Sequence, residues 1–183
     1  MTDKYANPWK TLSTRVVYEN PWIRIREDQV IQPDGQPGIY GVVEYHGCVG
    51  VLPIDAAGNV HLVGQYRYVL KQYSWELPEG GCHVGEDPEV AARRELREEL
   101  GLTAGKLELL GRSHLSNSVS DEEAFYYLAT DLVQGEAEPE ATEQLERRIV
   151  TFDEALRMVL RSEITDSLSQ IAILHYAVLI NMR

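Results

Sequence analysis

Between positions 80 and 102 the chain reads GGCHVGEDPEVAARRELREELGL, and no other run restricts the fold as much. Six carboxylates, Glu86, Asp87, Glu89, Glu95, Glu98 and Glu99, are crowded into it. Like charges one helical turn apart destabilise a helix by about 0.2–0.5 kcal/mol per pair, so something must offset them. The run nevertheless carries strong helix punctuation. Asp87 is a good N-cap, and Pro88 costs nothing at the first helical position, where its missing N–H would be orphaned anyway. Gly101 stands where a left-handed residue ends a helix. The pattern predicts a helix over 88–100, with Ala92, Leu96 and Leu100 facing a core. Glu95, Glu98 and Glu99 are then related by i, i+3 and i+4 and converge on one patch, expected to be exposed. Three carboxylates in one patch make a hard, oxygen-rich site suited to Mg²⁺ or Mn²⁺. The plainer alternative is a solvated helix whose Arg93, Arg94 and Arg97 pair with the glutamates.

Strands surround this segment. TRVVYE, WIRIREDQVI and IYGVVEYH, within 14–46, alternate β-branched and aromatic residues with polar ones, and PDGQPG marks a hairpin. They predict a small N-terminal antiparallel sheet over about residues 1–45. CVGVLPI and VHLVGQYRYV, joined by DAAGN, read as a second, more buried hairpin that opens the main domain, 46–183. KLELLGRSHLS and EEAFYYLATDL are further strands, and ERRIVTF is a short one. The acidic, proline-containing stretch from Gln134 to Gln144 reads as a loop. FDEALRMVLRSE and ITDSLSQIAILHYAVLINM have helical period, with Asp153 and Asp166 or Ser167 as N-caps. Strands, helix, strands and helices in this order predict an α/β fold with a mixed sheet flanked by helices.

Charge narrows the partners. With 17 Lys+Arg against 29 Asp+Glu, the net charge is −12, which repels nucleic acid and anionic membranes. A phosphate-bearing substrate would need a local device, a divalent cation or a few placed arginines. Cys48 and Cys82 form no disulfide framework or zinc pattern. MTDKYANPWK lacks the basic-then-apolar character of a secretory signal, and IAILHYAVLI is about half a membrane span. A cytoplasmic protein is expected.

From Gly80 the register is Gly, five residues, Glu86, seven residues, Arg94-Glu95-Leu96, one residue, Glu98-Glu99, one residue, Gly101-Leu102. Nine such positions match by chance in fewer than about one in a million windows. The register resembles the Nudix box, the loop-helix-loop that holds divalent metal against a diphosphate linkage in Nudix hydrolases. The resemblance implies a Nudix α/β/α sandwich. It gives metal-ligand roles to Glu95, Glu98 and Glu99 and to the backbone carbonyl of Glu79, and makes Arg94 the arginine that orients the carboxylates. Glu86 would support the loop.

QYRY followed by WELPEGG, from Gln65 to Gly81, is similar to the segment before the box in ADP-ribose pyrophosphatases and related nucleoside diphosphate-sugar hydrolases. That similarity implies a magnesium-dependent pyrophosphohydrolase releasing a nucleoside monophosphate and a sugar phosphate. Arg67 would contact substrate phosphate, with Glu76 beside it; the alternative for Arg67 is a simple pair with Glu76 across neighbouring strands. A homodimer is implied, formed through residues 1–45, where Trp9, Tyr18, Trp22 and Tyr40 offer interface or base-stacking surface, Tyr18 and Trp22 as substrate contacts. The base that activates water would lie on the loop after the box, at Glu143, with Glu140 and Glu146 as rivals. One departure matters: Ser116-Asn117-Ser118 lacks the proline usual in the post-box turn, which opens the sugar preference beyond ADP-ribose. Other classes remain: a hydrolase of dinucleoside polyphosphates or nucleoside triphosphates, or a non-catalytic domain that senses ADP-ribose.

Overall fold

A computed structural model describes residues 5–138 and 144–182, which divide into two compact units. The smaller comprises residues 5–46 and 116–122. Its three strands, β1 (Lys10–Glu19), β2 (Arg24–Ile31) and β3 (Pro37–Glu44), form an antiparallel sheet in that order. Gly35, at φ 85°, makes the turn between β2 and β3 that PDGQPG forecasts. The strand starts at Lys10 rather than Thr14, because Lys10 already faces Ile31 across the ladder. Two register shifts, at Thr11/Ser13 and Val16/Tyr18, break the period-2 pattern that would have revealed this. Every residue of β1 is exposed. Segment 116–122 closes on β3, where Val119 O accepts from Val43 N–H at 2.8 Å and Ser118 O accepts from Tyr40 Oη at 2.8 Å.

The larger unit, residues 47–115 and 123–182, holds two sheets and three helices. Strands β4 (Cys48–Pro53), β7 (Glu79–Gly81), β8 (Leu102–His114) and β9 (Glu123–Gln134) form a mixed sheet ordered β7-β4-β9-β8, in which only β4 and β9 run parallel. Strands β5 (Asn59–Arg67), β6 (Gln72–Glu76) and β10 (Glu146–Thr151) form an antiparallel sheet ordered β10-β5-β6. The hairpin expected from CVGVLPI and VHLVGQYRYV is therefore not a paired one. A single bridge, Ile54 to Val60, joins its arms before they part into different sheets. The reason is burial: β4 is buried along nearly its whole length and needs cover on both faces, which a lone hairpin cannot give.

Two apolar clusters supply that cover. On one side Ala91, Ala92, Leu96 and Leu100 of α1 (Pro88–Leu100) pack with Val49, Val51 and Tyr127. On the other, α2 (Phe152–Leu160) and α3 (Ser167–Asn181) contribute Met158, Leu168, Ala172 and Ile173 against Leu52, Leu62 and Leu77. Each buried Leu or Ile contributes about 1.5–3 kcal/mol. Helices on both faces of β-structure give the expected α/β/α sandwich with its mixed sheet. The two free cysteines fall in opposite clusters, Cys48 against the α2–α3 side and Cys82 on the α1 side. Thr151, not Asp153, caps α2, because the helix begins at Phe152 and leaves Asp153 inside its first turn. Of the two candidates Asp166 and Ser167, Asp166 caps α3.

Candidate active site

Helix α1 is built as its sequence dictates. Asp87 accepts from Glu89 N–H at 2.8 Å, Pro88 opens the helix, and Gly101 closes it at φ 68°. Two of its three patch glutamates are not on open surface, however. Glu99 is 1% exposed and Glu95 7%, because the turn that carries them lies under the Glu79–Gly81 strand. Glu79 N–H donates to Glu99 Oε2 at 3.1 Å. A Cβ on Gly80 would stand 2.2 Å from Glu95 Oε1, so only glycine admits that carboxylate.

Arg94 offsets the crowding. Its guanidinium donates to Glu86 through Nε and Nη2, to Glu95 Oε1 at 2.5 Å, to Glu98 Oε2 at 3.1 Å and to the carbonyl of Gly81 at 3.0 Å. Three carboxylates thus share one cation. Glu86 also accepts from His83 N–H at 2.9 Å, closing the loop before α1. Hydrogen bonds from Arg94 outweigh burial and hold the Glu86 carboxyl down at about 2, and the same bonds raise the Arg94 pKa.

The donor set around Glu95, Glu98, Glu99 and the Glu79 carbonyl is all oxygen, suited to a hard divalent cation. Among the described residues no three acidic or ring side chains already stand as a cage. Arg94 holds Glu95 and Glu98 in ion pairs, and a cation would draw on the same oxygens. With hard donors only, and the Gly80 backbone giving Glu95 room of the size a Cβ would fill, these residues fit such a cation.

Beyond Glu79 the site continues as a cleft of about 630 Å³, lined by the end of β5, the β5–β6 turn, Glu76, Glu79 and Thr165–Ser167. Arg67 donates through Nε to both oxygens of Glu76, and through Nη2 to Glu76 Oε2 and to Glu79 Oε1 at 2.8 Å. The cross-strand pair is therefore present, and it extends to a second carboxylate. Burial works against the Arg67 charge, but Glu76 and Glu79 outweigh it and raise its pKa. Burial, then Asp166 and Glu76, push the Glu79 carboxyl well above the usual range. The sequence marks Asp166 only as a helix cap. It does cap, accepting from Ser169 N–H at 2.6 Å, but it also faces this cleft. Ser169, fully buried, accepts from Leu77 N–H at 2.8 Å and so ties α3 to the segment carrying Glu79. Nothing local in the sequence signals either contact.

The other expected residues are scattered. Glu143 and Glu140 lie outside the described residues. Glu138 N–H donates to the Glu98 carbonyl at 3.0 Å, so the described part of that loop reaches α1. Glu146 begins β10 opposite Gly64 and hydrogen-bonds the Tyr73 hydroxyl, which makes it a strand residue with a partner rather than a loop carboxylate. Tyr18 and Trp22 belong to the smaller unit, and both rings are exposed. Arg147, unremarked in the sequence, donates to the Glu99 carbonyl at 3.2 Å.

Residues 44–169 match the NUDIX domain family, and residues 9–43 match the nucleoside diphosphate sugar hydrolase N-terminal domain. An ADP-ribose pyrophosphatase of Mycobacterium tuberculosis is 37% identical over 165 residues, covering 88% of this chain and 79% of that protein. One from Bacillus subtilis is 31% identical over 90% of both chains. The crystal structure of an ADP compounds hydrolase superposes with a TM-score of 0.85 over 98% of each chain at 18% identity, a likeness of fold. The chain belongs to the Nudix hydrolases and is an enzyme of that family, whose members generally use divalent metal ions.

Proposed function

We propose that this enzyme hydrolyses the diphosphate linkage of a nucleoside diphosphate sugar, ADP-ribose or a close relative, to a nucleoside monophosphate and a sugar phosphate. The observation that carries the reading is likeness along the whole chain: the first segment matches a nucleoside diphosphate sugar hydrolase domain, and relatives matched over most of their length are ADP-ribose pyrophosphatases. Water attacks one phosphorus, the bond from that phosphorus to the bridging oxygen breaks, and the water's proton passes to a carboxylate.

In this reading Glu95, Glu98, Glu99 and the Glu79 carbonyl hold Mg²⁺ or Mn²⁺, and Arg94 keeps the carboxylates aligned. When bound, such a cation would neutralise the diphosphate and ease deprotonation of water. Arg67 steadies a phosphate oxygen through Nη1, the one guanidinium nitrogen without a hydrogen-bond partner among the described residues. Glu143 serves as the base. Two copies pair through residues 1–45, where β1, exposed along its length, and the aromatic rings of Tyr18 and Trp22 offer surface to the partner and the nucleotide. The enzyme is cytoplasmic; no described helix is long and apolar enough to cross a membrane.

The test is hydrolysis of ADP-ribose, ADP-glucose, GDP-mannose and UDP-glucose with Mg²⁺ in ¹⁸O water. Release of monophosphate, with label in one product, supports the reading and identifies the phosphorus attacked. Turnover confined to dinucleoside polyphosphates or nucleoside triphosphates, or tight ADP-ribose binding without turnover, overturns it.

A further inference from the structure

We propose that the cleft between the β5–β6 hairpin and the start of α3 receives an uncharged, hydroxyl-bearing end of the substrate, and that Glu79 and Asp166 reject substrates carrying a further negative charge there. This rests on the nucleoside diphosphate sugar reading and narrows it. The cleft begins where the α1 glutamates end, since Glu79 binds Glu99 through its N–H and lines the cleft with its side chain. A group seated there is covalently within reach of a diphosphate lying over α1. At about 630 Å³ the cleft has the size of an ordinary small-ligand site.

Its lining is lopsided in charge. Glu76, Glu79 and Asp166 face one arginine, and Arg67 already spends Nε and Nη2 on Glu76 and Glu79. Only Nη1 remains, enough for one phosphate oxygen and not for a second anionic group. Past Arg67 the charged groups are acceptors. Glu79 Oε2 is screened from solvent and has no hydrogen-bond donor among the described residues. Sugar hydroxyls are the donors that such a wall takes, with the Thr165 and Ser167 hydroxyls beside it. Extra carboxylate or phosphate meets repulsion in a partly desolvated space. At the rim, Tyr66 and Tyr68 are 60% and 87% exposed and can lie against a ring.

The hydroxyls can belong to the terminal sugar or to the nucleoside ribose, and two substrate pairs separate these. UDP-glucose against UDP-glucuronate adds charge at the sugar; ADP-ribose against its 2′-phosphate on the adenosine ribose adds charge at the nucleoside. kcat/KM is measured for all four with wild type, Asp166→Asn and Glu79→Gln. Asparagine caps a helix as well as aspartate, and circular dichroism checks the fold of both variants. In one pair at least, the charged member falls tenfold or more below its neutral partner, and a folded variant narrows that gap at least threefold; the pair that does so identifies the end bound. Members of both pairs within twofold of each other, or a gap that neither variant changes, overturns this inference alone. Hydrolysis of none of the four overturns the function and this inference together.

Discussion

Two acidic clusters of the larger unit use the same device and differ in how they are assembled. On α1, Arg94 spans Glu86, Glu95 and Glu98; in the cleft, Arg67 spans Glu76 and Glu79. Each arginine permits carboxylates to be buried that would be costly alone. The first cluster is local, since three of its four residues sit on one helix and Glu86 lies two residues before it. The second needs strand β5 laid against β6, β7 drawn up to β4, and the first turn of α3 brought over from the far end of the chain. Local clusters can be read from spacing, whereas assembled ones exist only after folding. If, as proposed, the α1 cluster serves the reacting diphosphate and the cleft cluster what the diphosphate carries, substitutions in the two should fail in different ways.

Glu99→Gln should have the largest effect. The substitution keeps the shape and removes a charge from the proposed cation site, so kcat should fall at least about a hundredfold at saturating Mg²⁺. Because Glu99 is 1% exposed and receives Glu79 N–H, a stability loss of about 1 kcal/mol should accompany it. Steady-state kinetics beside a denaturant titration measures both, and retention of more than about a tenth of wild-type kcat would falsify a ligand role. Glu143→Gln should come next, lowering kcat tens- to thousandfold with little change in KM, as expected when a loop base is removed. A kcat within about threefold of wild type returns the role to a rival carboxylate.

How the sequence foretold these clusters follows from the same difference. The register Arg94-Glu95-Leu96 to Glu98-Glu99, with Asp87 and Gly101 at its ends, specified α1 and its glutamates, because helix periodicity converts spacing directly into a shared face. Their burial was not legible, since it comes from Gly80 passing over Glu95. Arg67 and Glu76 were foreseeable as cross-strand neighbours. Asp166 and Ser169 were not, because Asp166 reaches the cleft and Ser169 the N–H of Leu77 only once the start of α3 is brought against the segment after β6. The false hairpin at 48–67 has a similar origin: alternation predicts that a segment is extended but does not say which sheet each arm joins.

Removing the two arginines sharpens the comparison further. Arg94→Ala and Arg67→Ala each strand buried carboxylates, and each should cost about 2–4 kcal/mol of unfolding free energy. If the α1 cluster is the cation site, Mg²⁺ should restore much of the loss in Arg94→Ala, because a cation then replaces the guanidinium. In Arg67→Ala it should restore little. Thermal melts with and without Mg²⁺ decide this, and equal rescue of the two would erase the distinction between the clusters.

The smallest expected effect lies at the edge of the α1 cluster, where Glu86 takes two hydrogen bonds from Arg94 and one from His83 N–H. These bonds depress its folded-state pKa from 4.5 to about 2. A depressed carboxyl stabilises the fold above its unfolded pKa, and the contribution is lost as pH falls through the folded value. The window therefore runs from roughly pH 4.5 down to about 2. Glu86→Gln removes the titrating charge, so it should destabilise by about 2 kcal/mol at pH 7, where the wild-type benefit is complete. At pH 3 the wild-type carboxyl has begun to lose that benefit, and the gap between the two proteins should shrink by about half. Urea titrations of both at pH 7 and pH 3 measure the gap directly. If Glu86 supports the loop rather than the cation, Mg²⁺ should leave the gap unchanged, in contrast to Arg94→Ala. A gap that is constant with pH would mean that Arg94 serves Glu95 and Glu98 alone and that the loop before α1 is held by the His83 turn.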